Sequence, residues 1–291
     1  MVFEVGVLFA FIAMLCWGFG DFLIQRSTRK VGDWETLFVI EAFGVVVLLP
    51  FVLNDARAVV HAGSSGVNIL LMTGGMLFVA SLLFFEALKK GKIAVVEPVF
   101  AFEVPVAALL AFGLLGETMT MLQSLLVIAV ISGLVLVSLK SHHLSNDAWL
   151  ERGVLIALLA AIFMGASNFL YGFSSRITNP LLALWFTKVI ITSGCFFYML
   201  FSNRLSALVR DIKYNARSLT ALCVFDNAAW VAFGYSLSLI PISIAVALSE
   251  SYIALAVLLG LLINNERLLA HQKLGLIVVF VSAVFLAALT A

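Results

Sequence analysis

The sequence predicts an all-α integral membrane protein, with ten transmembrane helices arranged as two inverted five-helix repeats. Three observations lead there. Apolar residues make up 63% of the chain and charged residues only 11%. A soluble domain averages roughly 45–50% and about 25%, so the solvent has to be lipid. Ten apolar stretches fill the 291 residues, each close to the length of about 20 residues that carries a helix across about 30 Å of hydrocarbon. The second five stretches echo the first five at an offset of 147–149 positions.

The first span, 5–25, starts at once without a basic leader and is long enough to cross, so it reads as a span and not as a cleaved signal. Its Trp17-Gly18-Phe19-Gly20-Asp21-Phe22-Leu23 lies opposite Met164-Gly165-Ala166-Ser167-Asn168-Phe169-Leu170 of the sixth span, 152–173. The polar run Arg26 to Asp33 ends it, with Ser27-Thr28-Arg29 opposite Ser174-Ser175-Arg176. The second span, 34–53, closes at Asn54 to Gly66, and the third, 67–88, at Lys89-Lys90-Gly91-Lys92. The fourth, 93–115, contains Pro98 and Pro105, which interrupt a helix because proline removes a backbone hydrogen bond. In lipid such a break is tolerated where neighbours or a watery cavity satisfy the freed carbonyl. The fifth, 120–139, leads into the loop 141–151.

In the second copy, the seventh span, 180–202, follows Thr178-Asn179-Pro180 and stops at Asn203 to Asn215. The eighth and ninth, 217–239 and 242–264, are separated only by Ile240-Pro241, and the tenth is 272–290. Glu117 after the fourth span matches Glu266 after the ninth, and Gln123 matches Gln272. The copies are therefore 1–140 and 152–291. An odd number of spans per copy places them in opposite orientations, and inverted repeats of this kind build many secondary transporters, with the substrate site where the halves meet.

The loops after the odd-numbered spans carry 14 Lys and Arg residues and those on the opposite side carry two, Arg57 and Arg176. By the positive-inside rule the basic loops lie in the cytoplasm and both termini outside. Net charge is +1, which argues against a nucleic-acid partner. Cys16, Cys195 and Cys223 fall within apolar segments as small hydrophobes, and His142-His143 reads as a solvated pair in a loop. No cofactor or metal site is expected. With no histidine inside a span and no loop beyond about 15 residues, an intramembrane enzyme and a receptor-like subunit both lack their usual parts.

The intramembrane charges carry the functional signal, because a lone charge at a helix centre costs roughly 2.5–3.5 kcal/mol. Glu86 and Glu97 lie near helix ends beside lysines, where interfacial pairs explain them. Glu41 and Lys188 hold the same rank in spans two and seven, 147 positions apart. They either pair across the copies or leave Lys188 to hold a substrate carboxylate. Asp21, Glu103, Asp226 and Glu250 remain as an acidic excess. Burial disfavours an ionised carboxyl, so such groups suit either a cationic or amine-bearing substrate or a coupling proton. Trp17, Asp21 and Gln25 share a face of the first helix, as do Asp226 and Trp230 on the eighth with Asn227 adjacent. Asn168 takes the place of Asp21 in the second copy, and Tyr252 lies near Glu250. An indole beside a carboxylate can hold an organic cation by about 0.5–2 kcal/mol. Small residues spaced by fours (Ala129 and Gly133; Gly275, Ala283 and Ala287) allow close helix contact, within the bundle or in a homodimer.

Cys16-Trp17-Gly18, Glu97-Pro98 to Pro105 with Leu114-Leu115-Gly116-Glu117, and the weaker second ending Asn265-Glu266 resemble the EamA type of the drug/metabolite transporter superfamily. The resemblance covers essentially the whole chain. It implies a multi-pass protein of the cell membrane, the cytoplasmic membrane of a prokaryote, that exports amino acids, other metabolites or drugs. It also implies a cavity lined by spans 1, 3, 4, 6, 8 and 9, with 5 and 10 peripheral. Relatives carry nucleotide sugars or triose phosphates, a branch that the single deep cation Lys188 disfavours. Many relatives keep both termini in the cytoplasm, opposite to the loop charges here. In the second copy Leu-Gly-Glu has become Asn264-Asn265-Glu266, which marks Glu117 and Glu266 as helix-end structural residues. The expected cargo is a small amine-bearing or cationic metabolite, moved by alternating access with a proton as counter-ion. The expected core is Asp21, Glu103, Asp226 and Glu250, shaped by Trp17, Asn168, Asn227, Trp230 and Tyr252.

Overall fold

A computed structural model describes residues 2–53, 55, 63–90, 99–138, 152–255 and 269–290. Their regular structure is entirely helical: α1 (Val2–Val31), α2 (Asp33–Val52), α3 (Gly63–Lys90), α4 (Glu103–Leu115), α5 (Met121–Ser138), α6 (Arg152–Ile177), α7 (Pro180–Phe201), α8 (Leu205–Leu239), α9 (Ile242–Ser249) and α10 (Ala270–Thr290). Seven helices among the described residues are long and apolar enough to cross a membrane. Three shorter apolar ones, Glu103–Leu115, Met121–Leu136 and Ile242–Leu255, accompany them.

Several ends differ from the hydropathy boundaries. The expected loop Arg26 to Asp33 is mostly helix, because nothing in Arg26 to Val31 breaks one and Thr28 Oγ1 bonds the Ile24 carbonyl at 3.1 Å. The turn contracts to Gly32, whose φ of 114° glycine alone adopts without strain. The expected loop before the eighth span is also helical. α8 begins at Leu205 and bends at Asn215, where φ is −114° and the side-chain amide donates to the Asp211 carbonyl at 3.0 Å.

The fourth and ninth spans are interrupted. Val99-Phe100 is helical, Ala101-Phe102 turns, and α4 starts at Glu103. Pro105 has no N–H for the Ala101 carbonyl, which takes Val104 N at 3.3 Å instead. In the other copy α9 ends at Ser249, Glu250-Ser251 turns, and helix resumes over 252–255. There the bonds shorten to three-residue spacing, Ser251 N to Leu248 O and Ile253 N to Glu250 O, both 3.3 Å. Glu97, Pro98, His142, His143, Asn264, Asn265 and Glu266 lie outside the described residues.

The principal contacts join the two copies. α1 packs on α8 and α6 on α3, two contacts that exchange under the repeat, while α2–α7, α4–α9 and α5–α10 each pair a helix with its own counterpart. That is the contact pattern of a pseudo-two-fold axis. Gln123 and Gln272 repeat as well. Their side-chain carbonyls accept from Thr120 N and Leu269 N, each at 3.0 Å, three residues before them at the head of α5 and α10. Gly133 lets α5 close on α10, since a Cβ there would stand 3.0 Å from the Gly275 carbonyl and 2.7 Å from Val279. Gly133 and Gly275 of the small-residue stripe thus meet within the bundle. Outward, Val46, Phe51, Leu109, Ile277 and Val284 are exposed, as apolar side chains facing lipid tails would be.

Candidate functional site

A cavity of about 90 Å³ opens between the copies. Trp17, Glu103, Asn168, Asp226, Trp230, Glu250 and Tyr252 line it, and so does Glu41. Asp21 sits one turn beyond Trp17 on α1; its side chain is outside those described. Asn227 is not in the wall. Its amide donates to the Cys223 carbonyl at 2.8 Å and to the Ile40 carbonyl at 3.2 Å, fastening α8 to α2. The reason is angular: neighbours on a helix diverge by about 100°, so Asp226 and Asn227 cannot face the same space.

Lys188, 1% exposed, lies behind the wall. Its ammonium donates to Glu41 Oε2 at 3.0 Å and stands 4.0 Å from Asp226 Oδ2. Asp226 therefore has a basic partner that the sequence did not reveal. That partner is shared, and Asp226 Oδ2 accepts no hydrogen bond. Glu250 Oε2 is likewise buried and accepts no hydrogen bond. Glu103 accepts from Asn168 Nδ2 at 3.4 Å and faces the same cavity as Glu250.

Aromatic rings close one side. Trp17 meets Trp230 edge to face at 5.4 Å and 84°, Phe233 at 5.1 Å, and Tyr252 at 6.1 Å. Tyr171 is buried behind Trp230 and donates its hydroxyl to that residue's carbonyl at 3.2 Å. The approach is open because position 234 is glycine; a Cβ there would strike the hydroxyl.

The cavity is lopsided. Besides the acids, its wall includes Ile24, Leu37, Phe85 and Phe100, all toward the α1–α2 and α3–α4 joints on the basic-loop side. Their repeat counterparts 147 positions on, Tyr171, Leu184, Ala232 and Ala247, are packed in the core of the opposite half. That opposite face is also clasped. Arg176 Nη1 holds Glu117 Oε1 at 2.6 Å, its Nε and Nη2 donate to the Leu237 and Ile240 carbonyls at 3.0 and 2.8 Å, and Glu117 Oε2 accepts from Ile242 N at 2.9 Å. Glu117 thus ties the α4–α5 joint to the α8–α9 joint.

Sequence reasoning missed α2 as a cavity wall. Leu37, Ile40 and Glu41 recur at three- and four-residue spacing, a face that could have been read. Ser81 and Phe84 on α3 gave no signal beyond ordinary apolarity.

The pattern of two five-helix copies meeting at a central cavity has a counterpart among known proteins. The EamA-like transporter family matches residues 4–139 and again 151–288, one match for each copy. The chain belongs to the EamA-like transporter family. No curated protein matches it. One solved crystal structure, described only as that of a protein, superposes on this EamA-like transporter with a TM-score of 0.73, covering 98% of this chain and 97% of the other at 16% identity. At that identity the likeness speaks for the fold alone. Membership makes the chain a multi-pass membrane transporter of small solutes.

Proposed function

We propose that this EamA-like transporter crosses the membrane ten times and moves a small amine-bearing or cationic metabolite by alternating access, exporting it or exchanging it for protons. The carrying observation is the charge balance of the cavity. Glu41, Glu103, Asp226 and Glu250 line it, and Lys188 is committed to Glu41. Two buried carboxyl oxygens accept no hydrogen bond: Glu250 Oε2, and Asp226 Oδ2, which has only a 4.0 Å share of the Lys188 ammonium. Buried acceptors without a hydrogen bond call for a ligand that brings N–H groups and positive charge. The indoles of Trp17 and Trp230 supply ring faces and edges around such a cation. A phosphate ester would need several free cations, and the one deep lysine is already engaged.

The lopsided cavity supports the alternating-access part of the reading. In the opposite state the repeat counterparts Tyr171, Leu184 and Ala247 would line a cavity at the other face, and the Arg176 clasp would open. Loop charges make the present open side the cytoplasmic one.

The test is thermal stabilisation of the detergent-purified protein by a panel of cationic, zwitterionic and anionic metabolites, since a ligand of the native state raises its apparent stability by mass action. Stabilisation by amines, lost in Asp226→Asn, is the expected result. Stabilisation by anions alone would overturn the assignment and move the cargo to the phosphate-ester branch.

A further inference from the structure

α8 is longer than a membrane crossing needs. At 1.5 Å per residue its 35 residues span about 52 Å, against about 30 Å of hydrocarbon. The apolar stretch 217–239 is enough to cross, so the polar arm 205–214 is surplus to it. The preceding helix sets the depth of that arm. α7, with 22 residues, is about 33 Å long and ends at Phe201, and only the turn Ser202-Asn203-Arg204 separates it from α8. The arm therefore begins and ends at the same boundary of the bilayer, and the bend at Asn215 lets it run along that boundary. Arg204 Nη1 fastens its start to Glu35 Oε1 of α2 at 3.0 Å, and Leu208 is buried. The other face of the arm is free. Val209, Arg210, Lys213 and Tyr214 recur at four-residue spacing, Arg217 continues the row past the bend, and all five are exposed. At 100° per residue Val209 and Tyr214, 69% and 81% exposed, stand on either flank of Arg210 and Lys213. Among the described residues the row's one ion pair is Arg210 with Asp211, at 3.6 Å. The fold does not demand these charges: the repeat counterparts of 210, 213 and 217 are Gly63, Gly66 and Leu70 at the start of α3, helical and uncharged.

We propose that this face of α8 is a docking surface for anionic phospholipids, with Arg210, Lys213 and Arg217 on the headgroup phosphates and Val209 and Tyr214 against the upper acyl chains. Charge complementarity carries the assignment. A helix lying in the interface turns its cations to the headgroups and its apolar side chains to the boundary with the chains, and tyrosine favours that same level. Guanidinium groups grip a phosphate through two parallel N–H donors, and the Lys213 ammonium adds a point charge. A row turned wholly to water would gain nothing from Val209 and Tyr214. A row turned wholly to acyl chains would not carry three cations. The two together fit the headgroup level, where a cluster of Lys and Arg draws net negative lipid in preference to zwitterionic lipid. This surface is separate from the cavity and needs no cargo. Lipid held on the native chain raises its melting temperature by mass action.

The test is thermal unfolding of the detergent-purified full chain, titrated with phosphatidylglycerol or with phosphatidylcholine of the same acyl chains. Phosphatidylglycerol should raise the melting temperature saturably, and phosphatidylcholine much less. Each cation near an anionic surface contributes about five-fold in affinity, so replacing Arg210, Lys213 and Arg217 together by Gln should raise the half-saturating lipid concentration about ten-fold or more. The lipid-free melting temperature should not change, because the three side chains are exposed. Replacing Lys89, Lys90 and Lys92 by Gln removes as many cations from the same side and should leave the titration near that of the wild type. Equal stabilisation by the two lipids would overturn the proposal. So would an equal loss in the two triple variants, which would mean attraction to the basic side as a whole. Inorganic phosphate stabilising as strongly as the lipid would overturn it too, since the chains would then add nothing. Should the triple variant fail to fold, Val209→Ser with Tyr214→Ser keeps every charge and should still raise the half-saturating concentration; an unchanged value overturns the surface. No cargo enters these titrations, so their failure leaves the amine assignment standing.

Discussion

Lys188 Nζ lies 3.0 Å from Glu41 Oε2 and 4.0 Å from Asp226 Oδ2, so one buried ammonium on α7 balances an acid on α2 and another on α8. Removing one partner of a buried pair leaves an uncompensated charge, at a cost of about 3–5 kcal/mol. Lys188→Met should therefore lower the melting temperature and folded yield sharply. The charge exchange Glu41→Lys with Lys188→Glu should recover only part of the loss, because the moved carboxylate then faces Asp226. Adding Asp226→Asn should complete the recovery. A triple variant no more stable than Lys188→Met would show that the pair does not act as a unit.

Arg176 is the clasp of the face opposite the basic loops, binding Glu117 and the carbonyls of Leu237 and Ile240. A hydrogen bond to a charged group contributes about 1.5–3 kcal/mol, so losing even about 2 kcal/mol shifts a two-state equilibrium about thirty-fold. Arg176→Ala should favour the opposite access state. With Cys16, Cys195 and Cys223 replaced, a Leu184→Cys reporter should then react much faster with a membrane-impermeant maleimide applied from that face. Equal rates with and without Arg176 would mean the clasp does not gate access.

Much of this architecture is legible in the chain. Apolar windows locate the helices because lipid demands them, and the repeat offset of 147 by itself matches Glu41 with Lys188 and Glu103 with Glu250. Helix ends are less legible. Hydropathy senses where lipid stops, while α1 runs on to Val31 and α8 starts at Leu205 through polar residues that favour helix as well. Pro105 announces the break in the fourth span, but nothing announces the one at Glu250-Ser251, which lacks a proline. The sharing of Lys188 with Asp226 is hidden for a different reason. It depends on the depth register of three helices from both copies, which no linear spacing encodes.

Asp226 tests the cargo assignment most directly. Its Oδ2 is buried at the cavity wall with no hydrogen bond, and Lys188 has Glu41 to fall back on. Asp226→Asn should leave the melting temperature of the unliganded protein nearly unchanged. It should weaken the binding of stabilising amines about ten- to a hundred-fold, the equivalent of one charge-assisted hydrogen bond of about 1.5–3 kcal/mol. Calorimetric titration of the purified protein with the amine that stabilises it most reads the affinity, and a thermal melt without ligand reads the stability. Undiminished affinity in the variant would remove Asp226 from the site.

Gly44 reports on the seam behind that site. A Cβ at this position would strike Asn227 Oδ1 and the Lys188 methylenes. The lysine stem is flexible, but Asn227 is pinned by its bonds to the Cys223 and Ile40 carbonyls, so it cannot swing away cheaply. Gly44→Ala should destabilise the protein by about 1–3 kcal/mol, the usual cost of overpacking a close helix contact. Asn227→Ala should also destabilise, by releasing α8 from α2. The two changes should not add: once the Asn227 side chain is gone, the methyl at 44 has room, and the double variant should be more stable than the sum predicts by about 0.5–3 kcal/mol. A double-mutant cycle by thermal or denaturant unfolding measures that difference. Strict additivity would mean that α2 and α8 do not meet at these two positions.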